Sequence, residues 1–338
     1  MDSLELIHQQ CLAVQKTGGW FDHPNRGVIE VSGTDRIQFL HNILTNDIKT
    51  LAPGTGTQAC LLNAQAKMIA AVNVLCFENI IWLAFDYVLK KQFLESLQKL
   101  IIMEQVVLKD LSDELKLISV HGPKANDLMM AVFNQGLPQK MLGHISVIVP
   151  TSGQLEVIRI NLIGEEGCGV LLPKNETYNV RKLIEKHASS LGLAKIEPVT
   201  LDVMRITAGI PKYGIDYDES NIPLECRLEQ TVSFTKGCFP GQEIIARLDS
   251  RGGVSKKLCG LVLKGEIVPK KNDRILDNEI EVGHITSATF SPILKKTIVL
   301  GYLKKESQKI GHPLDVQIGA DQIPARVEEL PFYNSNTA

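Results

Sequence analysis

Neither sign of charge dominates this sequence. Its 338 residues carry 36 Lys and Arg against 38 Asp and Glu, a formal net charge of −2. That balance argues against a strongly cationic nucleic-acid scaffold, although it leaves room for a local patch. In the C-terminal part of the chain Lys-Lys pairs occur at 256–257, 270–271, 295–296 and 304–305. They lie in a strand-rich tail, where adjacent residues point to opposite faces, so they make no continuous basic stripe and read as protection of strand edges. No direct nucleic-acid partner is expected. Long hydrophobic runs are missing as well. The most apolar stretch, residues 68–85, is broken by Asn73, Glu78 and Asn79, which predicts two strands and a turn rather than a membrane span. The start, MDSLELIHQQ, has acidic Asp2 and Glu5 and no basic flank ahead of an apolar run. It reads as neither a secretory signal nor an Arg-rich transit peptide.

Paired cysteines are absent. The seven are scattered at 11, 60, 76, 168, 226, 238 and 259, odd in number and never in C-x-x-C spacing. A disulfide framework and a local zinc module are therefore excluded, and a reducing cytoplasm is the expected location. The eight histidines never fall at H-x-x-x-H spacing, so no preformed zinc or haem site, and no resident metal, is expected. No phosphate-binding G-x-x-x-x-G-K-[ST] loop occurs, and Gly164-Glu165-Glu166-Gly167 lacks the dinucleotide-binding spacing.

What is present is ordinary globular material, 44% hydrophobic and 22% charged, enough to bury a sizeable core in two or three domains. Residues 4–16 have helical spacing and stop at Gly18-Gly19. A strand follows at Val28–Ser32, then a helix with Ile37, Leu40, Ile43 and Leu44 on one face. Strands at 57–62, 67–77 and 80–85, a helix at 87–100 and strands at 105–109 and 116–120 give the order of a ferredoxin-like α+β layer. Gly122-Pro123 opens another helix. Strands at 144–149, 154–161 and 169–172 precede helices at 177–191 and 198–208, the latter ended by Gly209 and Pro211. Residues 212–241 read as loop. Beyond Gly253, short alternating runs broken by Gly, Pro, Asn and Asp predict a small all-β barrel.

The stretch that concentrates unusual residues is Ser233 to Arg251, SFTKGCFPGQEIIARLDSR. Cys238 sits between glycine and phenylalanine, with Lys236 before it and a Pro240-Gly241 turn leading into a helix at Gln242. A thiol ahead of a helix N-terminus and beside a cation is favoured as thiolate, the form that attacks or binds metal. The opposite reading, a small buried packing residue, is equally compatible with Cys238 on residue context alone. It is the preferred reading for Cys11, Cys60, Cys76, Cys168 and Cys259, each inside a helix or strand pattern, and also for Cys226.

The run Lys236-Gly237-Cys238-Phe239-Pro240-Gly241-Gln242-Glu243 resembles the K-G-C-[FY]-x-G-Q-[EH] signature of the YgfZ-type folate-binding proteins, relatives of the glycine-cleavage-system aminomethyltransferase. Weaker matches arrive in the family's order. They are Val31–Arg36 with Phe39-Leu40-His41 and Thr45–Ile48, Leu61–Asn63 with Lys67-Met68, Gly122–Ala125, and Arg205 through Ile210. Together they cover about residues 28 to 260.

The resemblance implies an α+β cloverleaf: two interleaved ferredoxin-like units with a C-terminal small β-barrel around a folate-binding opening. The boundaries expected are 22–52 plus 138–250 for one unit, 53–137 for the second and 251–338 for the barrel. The implied function is support of iron–sulfur cluster assembly or repair, with Cys238 as the reactive group and tetrahydrofolate as the ligand. Implied partners are an A-type iron–sulfur carrier protein or client iron–sulfur enzymes, and tRNA modification follows downstream. A pterin with a glutamate tail asks for a carboxylate, an aromatic and cations. The candidates are Glu225, Lys236, Phe239, Gln242, Glu243, Arg247 and Arg251 around the signature, with Asn46 and Asp47 from the N-terminal loop.

Departures from the aminomethyltransferase branch bear on the reaction. In the R-x-E-A-G run of that branch a glutamate holds the pterin, and here Thr207 stands in its place. Lys91 falls where that branch has a catalytic aspartate. A carboxylate accepts two pterin N–H bonds and stabilises a cationic iminium, and threonine or lysine does not do both. Ala66 occupies a turn position where the YgfZ pattern has glycine. The alternatives are a folate-dependent one-carbon transferase of aminomethyl type and a non-catalytic folate-binding adaptor.

Overall fold

The computed structural model describes residues 3–24, 26–150, 152–250 and 252–333, without the side chain of Ser3. The first two-thirds of the chain carries strands β1 (Gly19–Asp22), β2 (Gly27–Ser32), β3 (Thr55–Leu62), β4 (Met68–Cys76), β5 (Ile81–Phe85), β6 (Val107–Asp110) and β7 (Leu115–His121). It continues with β8 (His144–Val149), β9 (Gly153–Arg159), β10 (Gly167–Pro173) and the short β11 (Ala194–Lys195). The helices are α1 (Ser3–Lys16), α2 (Arg36–Ile43), α3 (Lys90–Leu100), α4 (Ala125–Phe133), α5 (Thr177–Leu191), α6 (Pro198–Thr207) and α7 (Gln242–Ser250). After α7 come β12 (Lys256–Leu263), β13 (Arg274–Asp277), β14 (Ile280–Ser291), β15 (Lys296–Lys304), β16 (Pro313–Ile318) and β17 (Asp321–Glu328).

These strands form a five-stranded sheet in the order β3-β4-β5-β2-β6, a six-stranded sheet in the order β11-β1-β7-β10-β9-β8, and a closed barrel β12-β15-β14-β13-β16-β17. The α+β architecture with a terminal barrel is therefore as expected. The partition of the chain differs from the expected 22–52 plus 138–250 and 53–137. β2 pairs with β5 and β6, so residues 27–32 join the strands of 55–110. β7 pairs with β1 and β10, so residues 115–121 join the other sheet. β1 itself carries no sequence signal, because Gly18-Gly19 reads as a helix stop. Gly19 is nevertheless a strand residue, where a Cβ would come within 2.4 Å of the Ile196 side chain.

The two sheets explain their own stacking. Alternate residues of a strand face opposite sides. In β2, Ile29 and Val31 turn toward α2 and α3, packing with Phe39, Leu40, Phe93 and Leu97, while Val28 turns the other way. In β7 and β10, Ile118, Val120, Val170 and Leu172 pack with Leu128 of α4 and Ile184 of α5, while Leu117 and Leu171 turn away. The faces left over meet each other: Val28, Leu75 and Ala84 from one sheet pack with Leu117, Ile158, Ile160 and Leu171 from the other. The result is helices, sheet, sheet, helices.

A buried polar knot ties this body to the barrel. Asp216, in the loop after α6, accepts from Arg205 Nη1 at 2.7 Å, Thr286 Oγ1 at 2.6 Å and Ser287 Oγ at 2.7 Å. Its carbonyl takes the Tyr302 hydroxyl at 2.9 Å. Both carboxylate oxygens are thereby satisfied inside the protein, as a buried charge requires.

Candidate functional site

The Cys238 loop lies along the C-terminal end of α2. The helix stops at Leu44, whose backbone is extended, and its last carbonyls need donors. Lys236 supplies them: its ammonium donates to the carbonyl of His41 and, at 2.6 Å, to that of Leu44. A cation is favoured there because the carbonyl end of a helix carries partial negative charge. The loop is also stitched by its backbone. Ser233 N donates to Thr45 O at 2.9 Å, and Lys236 N to Ser233 Oγ at 3.2 Å. Thr45 Oγ1 donates to Thr231 O at 2.6 Å while accepting from Cys60 N at 2.7 Å.

Residues on either side of Cys238 point inward. Lys236 is only 8% exposed, and its ammonium lies 5.2 Å from the centre of the Phe239 ring, itself buried with Ile245, Leu62 and Met68. Gly241 has φ of +79°, and a Cβ there would meet Ala66 Cα at 2.7 Å and Asn63 O at 2.9 Å. The Pro-Gly turn is thus pressed onto the β3–β4 turn, and only glycine fits. Ala66 holds φ of 60° opposite it, a conformation that glycine adopts more readily than alanine. Between these inward anchors Cys238 stands exposed, whereas the other six cysteines are buried. Burial pushes the thiols of Cys11, Cys60, Cys168 and Cys226 up to about 12 and that of Cys259 to about 11, which keeps them protonated.

A cluster of titratable groups backs the loop. His41 Nδ1 lies 3.2 Å from Asp47 Oδ1 and accepts from Ile48 N at 3.4 Å. Its other ring nitrogen, Nε2, is the neighbour that a Cβ on Gly237 would meet, at 3.9 Å. Burial lowers the His41 pKa and the Lys236 charge lowers it further, against the opposing pull of Asp47. Burial also brings Lys236 down to about 8, opposed by Asp47 and Cys238.

The remaining candidates are placed as follows. Asn46 is engaged in structure: its amide donates to Gln58 O at 2.8 Å, Thr57 Oγ1 at 3.1 Å and Gln230 O at 3.1 Å. Asp47 also accepts from Lys49 N at 2.9 Å. Glu225 is buried and folds back to accept from Ile222 N and Asn221 Nδ2, both at 3.3 Å, closing a short 3-10 turn. Gln242, at the start of α7, is partly exposed, and Glu243 and Arg247 on the same helix are exposed. Arg251 lies outside the described residues. Lys236, Cys238, Phe239 and Asp47 are thus brought together with His41, whose place in a helix reads from sequence as surface or packing, and Glu225 is not part of that cluster.

A second feature, missed in the sequence, lies where the two sheets meet. A cavity of about 30 Å³ there is lined by Arg26, Asn73 and apolar side chains including Leu75, Leu117, Leu142, Ile158, Ile160 and Leu171. Burial lowers the Arg26 guanidinium below its ordinary value, while Asp86 and Tyr217 lie near enough to pull it back up. A cation and an amide set among apolar walls suit the polar edge and the flat face of a pterin. The volume holds about one water, so a pterin ring needs the walls to part. Arg26 gave no sequence signal because it lies in the short connection, residues 23–26, between β1 and β2. Asn73 is linked back toward the loop: its Oδ1 accepts from Gln58 Nε2 at 3.3 Å, and Gln58 Oε1 accepts from Gln230 Nε2 at 3.3 Å.

Thr207 is buried near the end of α6, where its hydroxyl donates to Val203 O at 2.9 Å. Lys91 is exposed on α3, beside an open groove shared with Pro24, Asp86 and Asp110. Among the described residues no group of three or more His, Cys, Asp and Glu side chains is set to hold a metal ion, and no helix is long and apolar enough to cross a membrane.

Residues 2–236 match the family described as the GCVT N-terminal domain, and residues 256–334 the glycine cleavage T-protein C-terminal barrel domain. Curated relatives include aminomethyltransferases of Nostoc sp., 30% identical over 96% of this chain and 87% of that protein, and of Caldanaerobacter subterraneus subsp. tengcongensis, 27% identical over 98% and 89%. The crystal structure of the glycine cleavage system aminomethyltransferase T from Bartonella henselae superposes with a TM-score of 0.87 at 20% identity, covering 97% of this chain and 90% of that one, which shows a shared fold. With both of its regions matched, the chain belongs to the glycine cleavage T-protein family.

Proposed function

We propose that this chain is a YgfZ-type, folate-binding member of that family, acting in the cytoplasm through Cys238 in the assembly or repair of iron–sulfur clusters. The observation that carries the reading is the presentation of Cys238. One thiol out of seven is exposed, on a loop whose flanking residues are locked inward. The thiol there gives its proton to solvent, and the thiolate so formed donates an electron pair to iron. One thiolate fills only one coordination position, so the remaining ligands come from a partner, for which an A-type carrier or a client enzyme is the fitting class. Support of iron–sulfur tRNA-modifying enzymes follows from that role.

Tetrahydrofolate is the proposed ligand of the space between the sheets. Arg26 and Asn73 would face its polar edge and the leucines and isoleucines its ring, once the small cavity opens. Reduced folate supplies a one-carbon carrier. The chain's own part is to bind and shield the ring.

The second reading is aminomethyl transfer, and the curated relatives favour it, since those named above are aminomethyltransferases over nearly their whole length. Against it stand Thr207, whose hydroxyl is spent on the helix backbone, and Lys91, a solvent-facing cation. A folate-binding adaptor without chemistry is the third. Titrating the purified protein with tetrahydrofolate and unrelated pterins, followed by a product assay with an aminomethyl donor, separates them. Selective folate binding without turnover is expected. Sustained formation of methylenetetrahydrofolate would establish the transferase instead.

A further inference from the structure

We propose that Lys236 is a positioning residue for Cys238: its ammonium, gripped by the last carbonyls of α2 and backed by the His41–Asp47 pair, fixes the loop and sets a positive charge beside the thiol. The inference rests on the reading of Cys238 as the working group, and it gives the lysine of the signature a task that involves no ligand.

A lysine held for an anionic ligand keeps its donors free and its head in solvent. Lys236 does neither. Two of its three N–H bonds go to the carbonyls of His41 and Leu44, and the side chain is buried. Its backbone N–H is tied to Ser233, which is tied in turn to Thr45, so Cys238 rides two residues beyond a doubly anchored point. The charged and titratable groups facing the ammonium are Asp47, Cys238 and Lys49, with His41 alongside. Asp47 and an ionised Cys238 attract it, and Lys49 repels it. With its pKa brought to about 8 by burial, the lysine is charged at neutral pH and loses that charge in mildly alkaline solution. The effect on the thiol can therefore be titrated away in the intact protein.

The test compares alkylation of Cys238 in the full-length protein by iodoacetate, an anion, and by iodoacetamide, which is neutral. A cation beside the sulfur raises the iodoacetate-to-iodoacetamide rate ratio about three- to tenfold over that of a short cysteine peptide at low salt, and added salt screens the difference. The ratio is expected to fall toward the peptide value as pH rises from 7 to 9.5, with a midpoint near 8. Lys236→Met is expected to abolish the excess at pH 7, and Lys236→Arg, which keeps the charge, to restore most of it. A wild-type ratio equal to the peptide's at pH 7 overturns the proposal without any variant, as does an unchanged ratio in folded Lys236→Met. Neither outcome bears on whether Cys238 is needed in the cell, which complementation with Cys238→Ser decides separately.

Discussion

At the scale of single residues, the molecule treats chemically identical side chains in opposite ways. Six thiols are sealed in packing and one is presented. Brief treatment of the native protein with iodoacetamide, followed by peptide mapping, is therefore expected to label Cys238 alone. The others should be modified only after denaturation, and labelling of Cys60 or Cys226 at a comparable rate would contradict their burial. Gly241 makes the sharpest steric demand in the signature. Gly241→Ala combines an unfavourable φ with a collision against the β3–β4 turn and is expected to cost about 1–3 kcal/mol in urea unfolding, with faster proteolysis of the loop. A local rule singled out Cys238 in its glycine-bounded loop, and the structure shows that thiol exposed. His41 was not legible in this way: it looks like any helix residue until the fold sets its ring beside Asp47 and Gly237. The same holds for Lys236. Its charge is visible in sequence, but its capture by α2, nearly two hundred residues earlier, is a tertiary fact.

At the scale of elements, periodicity carried most of the fold. β4 alternates buried and half-buried residues along Met68–Asn73, and the amphipathic stripe of α2 faces the sheet as its spacing predicts. Pairing between distant strands was not legible. The sequence places β7 directly after β6, and nothing local says that β6 stays with β2 while β7 crosses to β1 and β10. The chain changes sheet within the four-residue stretch from Leu111 to Glu114. Between body and barrel, the Asp216 knot makes a specific claim about stability. Asp216→Ala leaves the Arg205 guanidinium, 8% exposed, with only the partly exposed Asp202 as a charged partner. A loss of about 3 kcal/mol is expected, read by denaturant unfolding. A change below about 0.5 kcal/mol, the range of ordinary surface substitutions, would show that the knot contributes nothing.

At the scale of the whole molecule, two sheets back onto each other and leave polar groups where they meet, an arrangement that makes stability sensitive to acid. His23 lies near Arg26 and His121, and burial lowers the pKa values of the two histidines to about 3 and about 4. Both are neutral in the folded protein at pH 6 and take up protons on unfolding, so the unfolded state binds more protons between the ordinary value of 6.5 and those depressed values. Stability is accordingly expected to fall as pH drops through that window, by up to about 1.4 kcal/mol per pH unit for each histidine. His121→Gln should flatten the slope, and an unchanged slope would place the acid sensitivity elsewhere. The same juncture carries Arg26 and Asn73, and the amide chain through Gln58 and Gln230 runs from it toward the segment that holds the Cys238 loop. That cavity and the exposed thiol thus belong to one body. The most direct measurement of the central claim is complementation of a strain deleted for this gene by wild type and by Cys238→Ser at equal expression, reading the activity of an iron–sulfur enzyme. The expected result is restoration by wild type and none by the serine variant, with both purified proteins folded and binding tetrahydrofolate alike. Full restoration by Cys238→Ser would contradict the account.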